Sequence, residues 1–153
     1  MDKVKLTVIA VISALMGWLG ILAIPVFLLV LCNLFDYGTG IFAAKYRNDT
    51  ISSYKGIRGI IKKVCMWLLI GVGAILDTLI NYAVECAGIA ITIPFIVATI
   101  VAVWLIVNEI ISILENMVDI GVELPPFLMP IVKNIKKQVE NKAKLEGDKN
   151  EQS

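Results

Sequence analysis

Three carboxylic acids stand in stretches where nothing else is charged. Asp36 closes an uncharged run that starts at Leu6. Asp77 is the lone charge between Val64 and Val84, and Glu109 follows an uncharged run from Cys86 to Asn108. A charge at the centre of a membrane helix costs about 2.5–3.5 kcal/mol on insertion scales. Acids in such a setting pair with cations, hold an ion or face water. Asp36 and Glu109 could form a carboxylate pair, but no nucleophile accompanies them. The chain has no histidine, which removes the usual general base and the commonest metal ligand. The spacing Gly56-x-x-Gly59-x-x-Lys62 is wrong for a phosphate-binding loop and suits a loop-to-helix entry. Cys32, Cys65 and Cys86 lie in or beside apolar runs without metal spacing, so they read as small packing residues. No catalytic set, cofactor site or metal site is expected, and the chain does not read as an enzyme.

The acids recur with other small and polar residues at helical period, at about 100° per residue. Cys32, Asn33, Asp36, Thr39, Gly40 and Ala43 share one stripe. Gly73, Ala74, Asp77 and Asn81 share a second. Asn108, Ser112, Glu115 and Asp119 share a third, with Glu109 and Asn116 at its edge. Small residues let membrane helices approach closely, and polar ones hydrogen-bond across the contact. These stripes therefore glue a bundle together, with some carboxylates paired to Arg58, Lys62 or Lys63, or they line a wet surface when many copies assemble. The two readings are compatible, since one face can pack in one state and be hydrated in another. On the second reading Asp36, Thr39, Gly40, Asp77, Asn108, Glu109, Ser112 and Glu115 are the assembly or pore-lining residues.

The elements that must carry these stripes follow from the hydropathy. Of 153 residues 58% are hydrophobic, with mean hydropathy +0.83, against roughly 45–50% apolar in an ordinary soluble domain. A bilayer can hide that surface and a soluble core of this size cannot. The run from Leu6 to Phe35 would make a helix of about 45 Å against a hydrocarbon core of about 30 Å. Pro25 splits it, because proline suits a first turn and disrupts an interior. Helices are expected over 5–23, which spans or lies in the interface, and over 25–46. A cleaved signal peptide fits poorly, because its apolar region is only about 7–15 residues long. A polar connection over 45–63 holds Lys45, Arg47, Lys55, Arg58, Lys62 and Lys63 against Asp49 alone, and the positive-inside rule makes it cytoplasmic. A span over 64–84 follows, then a short outer turn at Glu85, then a helix opened by Pro94 and running to about Val118. Gly121, Pro125 and Pro126 break the chain. Beyond them Phe127, Ile131, Ile135 and Val139 stand four apart, with Lys133, Lys136, Lys137 and Lys144 on the other side. This is a basic amphipathic helix for the inner leaflet, and the closing GDKNEQS should be disordered. Trp18, Trp67 and Trp104 suit lipid-facing or interfacial positions. The fold class is all-α: a polytopic transmembrane bundle of three core spans plus an N-terminal hydrophobic helix, so three or four spans in all. A membrane domain covers 1–130 and a basic tail 131–153, with the C-terminus cytoplasmic. Net charge +1 gives no nucleic-acid signal.

Three segments in order resemble a family. Asp36-Tyr37-Gly38-Thr39-Gly40, followed by Ala43-Ala44-Lys45, looks like the D-x-x-T-G segment of a family of Gram-positive phage holins that includes the clostridial toxin-secretion holins. Ser52-Ser53 and then Gly56-Ile57-Arg58-Gly59-Ile60-Ile61-Lys62-Lys63 resembles its S-x-x-G-x-x-G-x-x-x-K loop and helix start. Asn108-Glu109, Ser112-Ile113, Leu114-Glu115-Asn116, then Gly121 and Pro125 resemble its N-E-x-x-S-I-x-E-N…G…P ending. The likeness covers about residues 26–130. It implies a lysis protein of the bacterial cytoplasmic membrane whose copies oligomerise abruptly into large lesions. Its partners would be lipid, further copies of itself, and a functionally linked endolysin or toxin that crosses through the lesion. Two other readings rest on the same residues: a small ion channel or transporter subunit with Asp36 and Glu109 as its ion site, and a membrane anchor or antiholin acting through the basic tail.

Overall fold

The computed structural model describes residues 3–48 and 53–150. In order it runs α1 (Lys3–Leu19), a 3-10 turn (Gly20–Leu22), α2 (Ala23–Tyr46), α3 (Ser53–Cys86), α4 (Ile96–Ile120) and α5 (Leu128–Asn150), with no strand among the described residues. Pro25 sits in the first turn of α2, as the sequence required. Three helices are long and apolar enough to cross a membrane: Gly20–Tyr46, Gly56–Cys86 and Ile96–Ile120. The 17 residues of α1 reach about 25 Å, short of a hydrocarbon core of about 30 Å.

The helix α4 is the hub. α2, α3 and α5 pack on it, and the Lys63 side chain crosses the gap between α2 and α3. Leu22 and Leu29 meet Met66 and Ile70 over Ala98, Ala102 and Leu105 in one core; Val107 and Leu114 meet Val132 of α5 in another. Outward faces stay apolar and exposed, as at Ile24, Leu68, Ile75 and Leu79. An exposed apolar surface of this extent marks a molecule whose solvent is lipid, with Asp36, Lys63, Asp77 and Glu109 turned inward.

The end of the bundle that carries Lys45, Arg47 and Arg58 is called the basic end here. Lys63 of α3 meets Glu109 of α4, and a Cβ at Gly73 would stand 2.8 Å from the Cα of Ala98. These contacts set α3 and α4 antiparallel. At the basic end the two helices finish nearly level. At the far end α3 continues 13 residues past Gly73 while α4 begins two before Ala98, an overhang of about 16 Å. Residues 87–95 return along it. Gly121, at φ +95, closes α4: its N–H donates to the Val118 carbonyl at 2.9 Å, and that of Val122 to the Met117 carbonyl at 3.0 Å. A side chain is disfavoured in that left-handed conformation.

Two expectations need correction. The polar connection is shorter than 45–63, because α3 starts at Ser53. Lys and Arg are good helix formers, no proline intervenes, and Gly56 and Gly59 lie inside the helix. Second, α5 reaches Asn150, four residues into the segment expected to be disordered; residues 151–153 lie outside the described residues. α5 folds back along α4 through Leu128, Met129 and Val132, and its row Phe127, Ile131 and Ile135 stays exposed. The expected boundary between 130 and 131 falls in the first turn of α5.

Candidate functional site

α2 and α4 turn their polar stripes to a common centre, and α3 adds Lys63 there, while its own stripe with Asp77 and Asn81 lies towards the far end. The ammonium of Lys63 donates to Asp36 Oδ2 at 2.9 Å, to Asn33 Oδ1 at 3.3 Å and to Glu109 Oε2. Asp36 uses its other oxygen: Asn116 Nδ2 donates to Oδ1 at 3.2 Å and to Thr39 Oγ1 at 3.2 Å. The Thr39 hydroxyl donates in turn to the Phe35 carbonyl at 2.8 Å. Gly40 faces the same amide, which would lie 3.6 Å from a Cβ there. Asn33 and Glu109 are buried, and Asp36 and Lys63 are each 18% exposed at the side chain.

Two carboxylates against one ammonium leave this cluster formally one negative charge in excess. Burying an ion costs several kcal/mol, about as much as a good partner returns, so such a cluster does little for net stability while complete and much harm when broken. Every buried side-chain nitrogen and oxygen among the described residues has a partner.

The far end is held by different chemistry. Asp77 is 1% exposed, and its two oxygens accept the N–H of Val97 at 3.0 Å and of Ala98 at 2.9 Å. Phe95, at the start of α4, offers no side-chain cap, so Asp77 supplies from α3 what an N-cap residue normally supplies. One turn on, Asn81 accepts the N–H of Ile93 at 2.7 Å and donates to its carbonyl at 2.8 Å. Gly73, one turn before Asp77, admits the α4 backbone.

The remaining residues singled out from sequence fall as follows. Asn108 donates to the Trp104 carbonyl at 2.9 Å and, with Ser112 and Glu115, lines a cleft between α3 and α5 that Lys62 and Lys136 also border. Arg58 is exposed on the first turns of α3, and the side chain of Lys55 lies outside what the structure describes. The structure thus brings Asp36, Thr39, Gly40, Lys63 and Glu109 together, sets Asn108, Ser112 and Glu115 beside them, and keeps Asp77 apart. Sequence reasoning named Lys63 only as one of three candidate cations and left Asn116 at a stripe's edge. It missed the ion pair of Arg47 with Asp119 and the hydrogen bond of 3.0 Å from Trp104 Nε1 to Glu140 Oε1. The absence of a capping side chain before Ile96 was the one sequence signal that a cap had to come from elsewhere.

Against known proteins, the bacteriophage holin family matches residues 11–137. An uncharacterized protein of Halalkalibacterium halodurans is 33% identical over 129 residues, covering 83% of this chain and 87% of that one. An uncharacterized protein of Clostridium perfringens is 30% identical over 125 residues, 81% of this chain and 84% of its own. One of Listeria monocytogenes is 30% identical over 121 residues, 78% of each. No solved structure matches.

Proposed function

The chain belongs to the bacteriophage holin family, a family of membrane proteins and not of enzymes, and from that premise we propose that it is a working holin. Its copies accumulate in the bacterial cytoplasmic membrane with the basic end and the C-terminus cytoplasmic. They then associate into non-selective lesions through which an endolysin or a toxin reaches the wall, and the host lyses. The observation that carries this reading is the Asp36–Lys63–Glu109 cluster. A single chain has no pore to line, yet it keeps two acids and a lysine between its spans. A face formed by Asp36, Thr39, Gly40, Asn108, Glu109, Ser112 and Glu115 can be satisfied internally in a lone chain and by water where many chains meet. Asp77 holds the α3–α4 hairpin and stands outside that face.

The test is induced expression in a bacterium beside a cytoplasmic endolysin that lacks a signal peptide, following optical density and release of a large cytoplasmic enzyme. Abrupt, endolysin-dependent lysis after a lag is the expected outcome. Steady growth with the chain inserted would turn the assignment to an antiholin or anchor, and ion leakage without protein release to a small channel. Asp36→Asn and Glu109→Gln should insert normally and shift the time of lysis; wild-type timing in both would remove these residues from assembly.

A further inference from the structure

The helix α5 is polar at a depth where lipid should be. Val132 packs with Val107 and Leu114, Lys136 stands 5.6 Å from the Trp104 ring centroid, and Glu140 accepts from Trp104 Nε1 at 3.0 Å. These contacts lay α5 antiparallel along α4, within the length of that span. Lys133 then lies level with Glu109 and Lys137 with Leu105, about 16 and 22 Å from the basic end of α4. Both lysines are exposed, and so are Asn134, Gln138 and Asn141. Lysine at that depth is costly against hydrocarbon and costs nothing against water. The outer side of α5, docked as it is, suits an aqueous neighbour.

The face of α4 beneath it is the opposite case. Val103, Val107, Ile110, Leu114 and Met117 form it, and bare it suits acyl chains. Beside α5 opens the cleft with Asn108, Ser112 and Glu115, bordered by Lys136, so the polar side of α5 continues the polar stripe of α4. Free of α4, the helix has a second home. Ile131, Val132, Ile135 and Val139 fall within an arc of about 100°, with Lys133 and Lys137 across from it, the form of a helix that lies in a membrane interface. We propose that α5 has two stations, and that its Lys133–Lys137 side forms part of the water-facing wall of the lesion. In a lone chain within lipid, α5 lies in the interface at the basic end and the Val107–Leu114 face of α4 meets acyl chains. Where copies enclose water, α5 lies against α4 as in the structure and gives that face a polar surface. The second station rests on the holin reading; the first does not.

Asn134 and Tyr82 are both exposed. As Asn134→Cys and Tyr82→Cys they take spin labels in a full chain that also carries Cys32→Ser, Cys65→Ser and Cys86→Ser. With α5 docked, the helix registers set the two sites about 28 Å apart along the bundle axis; with α5 at the interface the separation is about 43 Å. Pulsed electron spin resonance on one chain per nanodisc of phosphatidylethanolamine and phosphatidylglycerol should give the long distance. Lys133→Leu with Lys137→Leu makes the outer side compatible with lipid and should give the short distance in the same nanodisc. In vesicles of the same lipids that have released an enclosed enzyme, with labelled chains diluted in unlabelled ones, the short distance is expected. A short distance for the lone chain with both lysines, a long one for the double leucine variant, or a long one in the leaking vesicles would overturn the proposal. Vesicles that keep their enzyme would overturn the holin reading and the second station with it, while the two nanodisc distances decide the first.

Discussion

The two halves of the bundle solve the same problem with opposite chemistry. At the far half Asp77 and Asn81 engage backbone groups of α4 and of the segment before it, and Gly73 lets the backbones touch. Backbone N–H groups at a helix start need partners in any state of the protein, so this half has one arrangement. At the half nearer the basic end, Asp36, Lys63 and Glu109 engage only one another and two asparagines. Side-chain charges can exchange each other for water or for the same groups on another copy. The far half is a fixed hairpin, and the half nearer the basic end is where a change of state has somewhere to go.

The largest expected effect is Lys63→Met. It leaves two carboxylates facing each other without a cation and should cost about 3–5 kcal/mol, read as a loss of thermal stability in detergent. Adding Asp36→Asn and Glu109→Gln should recover most of it, because a neutral cluster needs no cation; a triple variant as unstable as the single one would mean that Lys63 acts through packing. At the other half Asp77→Ala should cost about 3 kcal/mol, since two N–H groups lose a charged acceptor, and should speed hydrogen exchange in the first turn of α4 alone. Asp77→Asn keeps a capping oxygen and should lose far less. If Asp77→Ala also loosened Lys63, the two halves would not be independent. Gly73→Ala should cost about 2 kcal/mol, because its methyl meets backbone rather than a side chain that can move. Arg47→Ala should cost under about 1 kcal/mol and less still in high salt, as its pair with Asp119 is nearly half exposed; a larger loss would show that the basic end is braced from its rim.

Much of this was readable before the fold was known, for a physical reason. In an apolar helix a polar residue is conspicuous and its period is undisturbed, so the stripes of α2 and α3 survive intact as the faces turned to α4. Pairing was harder to read. Lys63, placed by sequence at the end of a loop, was one of three equivalent cations until α3 began at Ser53 and carried it to the level of Glu109. That Asp77 caps a helix beginning nineteen residues later depends on how the chain turns between them. In α5 apolar and basic residues alternate closely enough that either of two adjacent rows could be buried, and only contact with Val107 and Leu114 selects the one containing Val132.

The overhang of α3 gives the molecule two hydrophobic lengths. On one side α3 with the returning segment offers a full apolar height; on the other α4 starts about 16 Å lower. A bilayer of uniform thickness cannot match both, so it thins, or the chain tilts, along the short side, at a cost of fractions of a kcal/mol per Å. Neighbouring copies that turn their short sides to one another share a single thinned patch. If the chain assembles as proposed, mismatch would favour the approach of copies, and membrane thickness would be a variable to which that assembly answers.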